Sequence, residues 1–252
     1  MNESAVEEKP APLQAFNVTI AYRSTPVLHD VSFRAPPGTL TAIVGPNGAG
    51  KSTLIKASLG LIQPAAGHFE FFGRSFRDVD GRVSYVPQRT SVDWDFPVTA
   101  LDVVCMGLYR KIGWLRPIGQ RHRRQAMEAL ASVGMQDYAR RQISQLSGGQ
   151  QQRVFLARSL VQGAELFLMD EPLAGVDAAT EQTIIDTLRS LRDQGRTAMI
   201  VHHDLDTVAD YFDRVLLLNG RVIAEGTVNE VMKPRLLKEA YGGNLLIFES
   251  SE

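Results

Sequence analysis

The sequence holds one cysteine, Cys105, among 252 residues. That excludes an intramolecular disulfide and any zinc site built from several thiolates. No run of 18 apolar residues occurs, so no segment reads as a membrane-spanning helix. Neither sign of charge is in surplus: 27 Lys and Arg face 28 Asp and Glu, for a net charge of −1. A protein devoted to a nucleic-acid backbone usually carries a basic excess, so no nucleic-acid partner is expected. Met1 to Leu13 is acidic, contains proline and lacks the apolar stretch of a signal peptide, so residues 1–13 read as a disordered lead-in. These absences describe a soluble cytoplasmic chain, and an apolar fraction of 44% supplies a sizeable core.

Strand patterns gather at both ends of the chain and helical patterns in the middle. Phe16–Tyr22 alternates as a half-buried strand does. Val31–Ala35 is a second short strand, closed by Pro36-Pro37-Gly38. Leu40–Val44 is apolar almost throughout, as in a strand covered on both faces. A helical pattern then runs from Lys51 to about Leu61. Further strands are expected at 68–72, 82–86, 166–169, 197–201 and 215–218. The last returns over 221–224 through Asn219-Gly220, the preferred two-residue hairpin turn. Between Val98 and Gln162, Ala126, Leu130 and Val133 keep one helical apolar face, and Val154, Ala157, Leu160 and Val161 keep another. This order predicts an α/β fold: a single domain over 14–252 with a helical subdomain, about 90–162, inserted in its core.

Gly45-Pro46-Asn47-Gly48-Ala49-Gly50-Lys51-Ser52-Thr53 follows an apolar strand and opens a helix. The glycines allow positive φ and a close backbone approach to a phosphate chain. The amides and the helix start then cradle anionic oxygens, with Lys51 reaching the β- and γ-phosphates and Ser52 placing its hydroxyl on Mg²⁺. Leu166–Met169 is a second buried strand, ending in Asp170-Glu171 where α/β sheets place ligands. Asp170 can hold the Mg²⁺ shell through water, and Glu171 can polarise a water attacking the γ-phosphate. Leu146-Ser147-Gly148-Gly149-Gln150 reads by itself either as an ordinary helix cap or as another anion-binding helix start, the latter of no evident use to a subunit already holding its phosphates elsewhere. His202 and His203 are adjacent and have no third ligand at compatible spacing, so they do not read as a metal site.

On these residues the chain resembles the ATP-binding cassette (ABC) ATPases. Leu146–Gln150, continuing as Gln151-Gln152-Arg153, matches their signature loop. Tyr22 stands where the family's adenine-stacking aromatic stands, and Gln88 in Val86-Pro87-Gln88 matches the Q-loop glutamine. Asp177 matches the D-loop aspartate and His203 the switch histidine. The motifs keep the family's order, and the resemblance covers essentially residues 14–248. It implies a P-loop ABC ATPase core with an N-terminal antiparallel β part, and ATP and Mg²⁺ as cofactors. ATP would lie on residues 45–53, Asp170 and Tyr22 of one subunit, capped by Ser147 and Gly149 of the other; Gly148, Gln150 and Asp177 also belong to the nucleotide-binding set. By the same likeness Glu171 is the general base, His203 holds the γ-phosphate and the water, and Gln88 senses nucleotide and Mg²⁺.

Ser91–Thr99, with Glu171–Asp177 and Val201–Leu205, is similar to the ATPases of manganese, zinc and iron importers. Met106–Tyr109 and Gly113-Trp114-Leu115 strengthen the manganese and iron likeness. The implied partners are a second copy or a homologous ATPase, an integral membrane permease and, indirectly, a metal-binding extracytoplasmic protein. The implied location is peripheral, on the cytoplasmic face of the inner membrane. The alternatives are the ATPase of a siderophore or exporter system, or a non-transport ABC ATPase; the latter typically carry two cassettes or a long coiled-coil insertion. Trp94 and Phe96 either meet the membrane partner or serve as local core anchors. Arg116, Arg121, His122, Arg123 and Arg124 are a solvated helix start or a surface for lipid or permease, and Cys105 reads as a small core residue.

Overall fold

The structure, a computed structural model, describes residues 10–242 apart from Ser24, Asp93, Trp114 and Leu115. Strands β1 (Leu13–Tyr22), β2 (Thr25–Ala35) and β4 (Ala66–Glu70) form an antiparallel sheet in the order β2-β1-β4. The main sheet comprises β3 (Leu40–Val44), β5 (Val83–Val86), β6 (Leu166–Asp170), β7 (Thr197–Val201), β8 (Arg214–Leu218) and β9 (Val222–Thr227), in the order β5-β6-β7-β3-β8-β9. Its first five members in that order are mutually parallel, and β9 is antiparallel at the edge. The fold is thus mixed α/β, with an antiparallel sheet beside a mainly parallel one.

Alternation along the parallel strands divides two cores between the sheet's faces. Ala42, Val44, Phe167, Met169 and Ile200 belong to one, Ile43, Leu166, Leu168, Met199 and Val201 to the other. Both faces are covered, which is why these strands are apolar almost throughout. The antiparallel sheet and α1 (Lys51–Ser58) cover the second face. Over the first lie α2 (Ala100–Met106), α3 (Gln120–Ser132), α4 (Gly148–Gln162) and α5 (Ala178–Asp193), with α6 (Pro234–Tyr241) near the end of the described chain.

Helices α2, α3 and α4 pack together around Val104, Leu130 and Val154, between β5 and β6 in sequence. Each start has a local cause. Thr99 and Asp102 close a capping box on α2, Ser147 and Gln150 one on α4, and Asp177 caps α5 through the Thr180 amide. Gly163 at φ 67 ends α4 in the left-handed conformation that favours glycine. Cys105 is buried among these helices, and Gln120–Ser132 carries Arg121, His122, Arg123 and Arg124 on its first turns.

Four local expectations are corrected. Leu13, expected in the lead-in, pairs with Ala35, and Ala11 is buried while its carbonyl accepts from the Phe72 amide at 2.9 Å; residues 1–9 lie outside the described chain. The second strand begins at Thr25, not near Val31, because Tyr22 pairs with Thr25 and the hairpin is tight. The strand expected at 68–72 is Ala66–Glu70; Phe72, at φ 52, has left the extended conformation. The β8–β9 connection spans three residues, since Leu218 pairs with Val222. Gly220 turns at φ 66, as expected, and also bonds outward to Ala49 in the loop after β3 and to His29 of β2.

Candidate functional site

The carboxyl ends of β6, β7 and β3 lie side by side, because Asp170 pairs with Val201 and Val201 with Ile43. The loop after β3, the carboxylates after β6 and the histidines after β7 therefore meet at one edge of the sheet. The loop Gly45–Gly50 takes positive φ at Gly45, Gly48 and Gly50. A Cβ at Gly45 would sit 1.9 Å from the Leu218 carbonyl oxygen, and one at Gly50 2.5 Å from Leu28 Cδ2. Only glycine fits at Gly45. Lys51 is buried, and its ammonium donates to the carbonyls of Gly45 and Pro46 at 2.7 and 2.9 Å. Burial pulls its pKa down, opposed by the charges of Glu171 and Asp170. A desolvated cation whose hydrogen bonds, among the described residues, go to two neutral carbonyls is prepared for a stronger anionic partner.

Ser52 donates its hydroxyl to Asp170 Oδ1 at 2.8 Å. Asp170 is fully buried, and its Oδ2 has no hydrogen-bond partner among the described residues. Burial pushes this carboxyl up, the Ser52 donor and the nearby lysines oppose it, and adjacent Glu171 reinforces it. An orphaned carboxylate oxygen beside a hydroxyl is the hard-oxygen donor set that Mg²⁺ takes, so these residues fit that ion. Among the described residues, no group of three or more His, Cys, Asp or Glu could hold a metal by themselves.

Gln88 donates through Nε2 to Glu171 Oε2 at 2.8 Å, linking the segment after β5 to the carboxylate after β6. Glu171 sits at φ 52, a left-handed backbone that a non-glycine residue adopts at a cost of about 1 kcal/mol or more. Backbone strain of this kind gathers at functional sites. The two histidines divide as adjacent residues must. His202 is buried, bonded through Nε2 to Thr207 Oγ1 at 2.8 Å, and its pKa is lowered to about 4 by burial and by His203. His203 is exposed. Tyr22, at the end of β1, leaves 49% of its surface open.

The signature segment forms a second unit. Ser147 Oγ accepts from the Gln150 amide at 3.3 Å, and Gln150 Oε1 accepts from the Ser147 amide at 2.9 Å. A Cβ at Gly149 would lie 3.2 Å from Thr180, whose amide and hydroxyl both donate to Asp177 at 2.9 Å. These bonds hold the Asp177 carboxyl below its usual range. Within this chain, then, Asp177 is a helix cap, and its bonds bring it to α5 and not to the Lys51–Ser52–Asp170–Glu171 group. Ser147, Gly148, Gly149 and Gln150 likewise lie in this second unit, with Ser147 and Gln150 bonded to each other.

Two contacts join the units and were not anticipated. Arg89 donates through Nε to Gln151 Oε1 at 3.0 Å, and a Cβ at Gly148 would lie 3.0 Å from its Cζ. Trp94 donates through Nε1 to the Arg89 carbonyl at 2.8 Å and meets the Phe155 ring edge-on at 4.9 Å. Gln151 and Phe155 are one helical turn apart, so residues 89–94 grip α4 at two successive levels. Trp94 is therefore an anchor, while Phe96 is 58% exposed. Arg89 carried a signal only in its place next to Gln88.

Residues 28–174, more than half of the chain, match the family described as ABC transporter. The chain is 57% identical to the zinc transport system ATP-binding protein TroB of Treponema pallidum (strain Nichols), over 92% of this chain and 88% of that one. It is 54% identical to the manganese transport system ATP-binding protein MntB of Bacillus subtilis (strain 168), over 93% of this chain and 94% of that one. Among solved structures, a nucleotide-free ATP-binding cassette from an ABC transporter superposes with a TM-score of 0.77 at 26% identity, covering 90% of this chain and 97% of that one. An ATP-binding cassette in its ADP conformation gives 0.77 at 26%, covering 92% and 98%.

Proposed function

Because this chain belongs to the ABC transporter family of ATP-binding subunits, we propose that it hydrolyses ATP at residues 45–53, 88, 170, 171 and 203 to drive import of a metal ion, manganese, zinc or iron. The observation that carries the site is the line Lys51, Ser52, Asp170, Glu171 and Gln88, drawn together at one sheet edge by two hydrogen bonds of 2.8 Å. Zinc and manganese are the cargoes named for its relatives at 57% and 54% identity, and the likeness of Ser91–Thr99 extends the set to iron.

The β- and γ-phosphates take the place of the Gly45 and Pro46 carbonyls on Lys51, relieving its desolvation. Ser52 and Asp170, with Gln88, would hold Mg²⁺, which would neutralise phosphate charge when bound. Glu171 accepts the proton of the water that attacks the γ-phosphorus, the bond to the ADP oxygen breaks, and His203 orients the transferring group. Positioning and charge stabilisation supply most of the rate, as in phosphoryl transfer generally. Tyr22, with its open face, serves as the adenine platform. Ser147, Gly148, Gly149, Gln150 and Asp177 face the nucleotide of a second copy or homologous ATPase, a reading supported by the match of Leu146–Gln150 to the family's signature loop.

The permease docks beside the Q-loop. A cleft of about 320 Å³ there is lined by Phe76, Tyr85, Pro87, Arg110 and Arg158, and Phe96 and Tyr109 are exposed. Burial lowers the pKa of Arg158. No helix among the described residues is long and apolar enough to cross a membrane, so docking makes the chain peripheral, on the cytoplasmic face. The extracytoplasmic metal-binding protein meets the permease, not this chain. Metal uptake into proteoliposomes containing the permease, with ATP on the chain's side, tests the reading; uptake that persists with Lys51→Ala contradicts it.

A further inference from the structure

The segment after β7 is tied at both ends to β3, the strand that leads into the phosphate loop. The His202 amide donates to the Ile43 carbonyl at 3.1 Å, and the Asp213 amide donates to the Leu40 carbonyl at 2.9 Å. Asp213 Oδ2 accepts in turn from the Leu40 amide at 2.8 Å. Between these anchors, residues 203–207 fold back on the His202 ring. Thr207 donates its hydroxyl to the Asp204 carbonyl at 3.3 Å, and the Asp206 amide donates to Asp204 Oδ1 at 3.0 Å. A hydroxyl has one hydrogen to give, so the 2.8 Å contact of Thr207 Oγ1 with His202 Nε2 is a bond in which Nε2–H donates. The ring is held on its other sides too. It is 2% exposed, with the Phe212 ring at 5.2 Å and the Tyr211 ring edge-on at 6.3 Å. The hydrogen bonds therefore run from His202 to Thr207 to the Asp204 carbonyl and close the loop that carries His203. His203 itself is exposed, its ring 5.9 Å from that of His202, so its place follows from the loop backbone and not from burial.

We propose that His202 and Thr207 are positioning residues for His203: their hydrogen bond holds the loop in the conformation that presents His203 to a terminal phosphate. This rests on the assignment of His203 to the γ-phosphate. Ordering a loop costs conformational entropy at each residue, and a loop ordered before the ligand arrives is spared that cost at binding. The benefit is confined to ligands that reach His203. A nucleoside triphosphate gains from it, and a diphosphate, which ends one phosphate short, does not.

Thr207→Val in the full chain keeps the branched shape and removes the hydroxyl. We expect the Kd of an ATP analogue with an imido β–γ bridge, by titration calorimetry, to rise about three- to tenfold, the worth of one hydrogen bond. The Kd for ADP should stay within about twofold. His202→Phe, which keeps a ring and loses the donor, should show the same split, and the double variant should be no worse than either single one. Thr207→Ser, which restores the hydroxyl, should bind the analogue as wild type. In a His203→Ala background, already weak for the analogue, Thr207→Val should change nothing further. If Thr207→Val only lowers the melting temperature and binds the analogue as wild type, while His203→Ala binds it weakly, the positioning role is overturned and the γ-phosphate assignment stands. A further loss on adding Thr207→Val to His203→Ala overturns the role as well, because the loop then acts through some other group. If His203→Ala itself binds the analogue normally, the assignment of His203 falls and the positioning role with it.

Discussion

Glutamine in place of Glu171 keeps the size of the side chain and a carbonyl oxygen where Gln88 Nε2 now donates. What it loses is the capacity to accept a proton at neutral pH. Turnover of Glu171→Gln should fall by roughly 10²–10⁴, the usual cost of a positioned general base, while ATP binding survives on Lys51, Ser52 and Asp170. Phosphate release measured beside equilibrium binding separates the two, and full turnover would remove Glu171 from that role. His202 gives a test in pH. Its folded pKa, about 4, lies below the ordinary 6.5, so the unfolded chain binds the proton first. Stability from this group is intact above pH 6.5 and is lost as pH falls toward 4, by up to about 3 kcal/mol. Urea unfolding of wild type and His202→Gln between pH 7 and pH 4 should show the difference between them moving against the wild type. A constant difference would mean that His202 does not titrate in this way.

At the level of elements, α4 is held by residues 89–94 through Arg89 on Gln151 and Trp94 on Phe155. If that grip sets where the signature loop is presented, Arg89→Ala should lower ATP turnover several-fold and leave nucleotide affinity unchanged. Equal loss of both would make Arg89 part of the chain's own nucleotide site. Sequence reasoning reached the two strand–loop units, Leu40–Thr53 and Leu166–Glu171, because their signals are local: uniformly apolar strands, glycines and charges in fixed spacing. The start of β2 was missed because Thr25 and Pro26 show no apolar alternation, and what makes them a strand is pairing with Tyr22 and Ala21. The Asn219-Gly220 turn is legible in the sequence, but its three-residue span is not, and neither are the bonds of Gly220 to Ala49 and His29, far from it in the chain. Arg89 and Gln151 lie 62 residues apart, and no local pattern announces such a pair.

For the molecule as a whole, a working assembly of two copies makes a distinctive demand. Ser147→Arg should bind ATP as wild type and fail to hydrolyse it if, as proposed, residue 147 serves the other copy. Mixed with Lys51→Ala, it should regain part of the activity, since one of the two sites then joins an intact loop to an intact signature. Normal hydrolysis by Ser147→Arg alone would refute the shared site. The left-handed backbone at Glu171 also bears on how such a chain drifts over generations. Asparagine tolerates φ 52 better than glutamate, so Glu171→Asn should melt a few degrees higher, by about 2–4 °C per kcal/mol of relieved strain, while losing turnover. A population screened for robustness alone would collect dead variants at this position. The glutamate persists only where a cell's growth depends on the work the site performs.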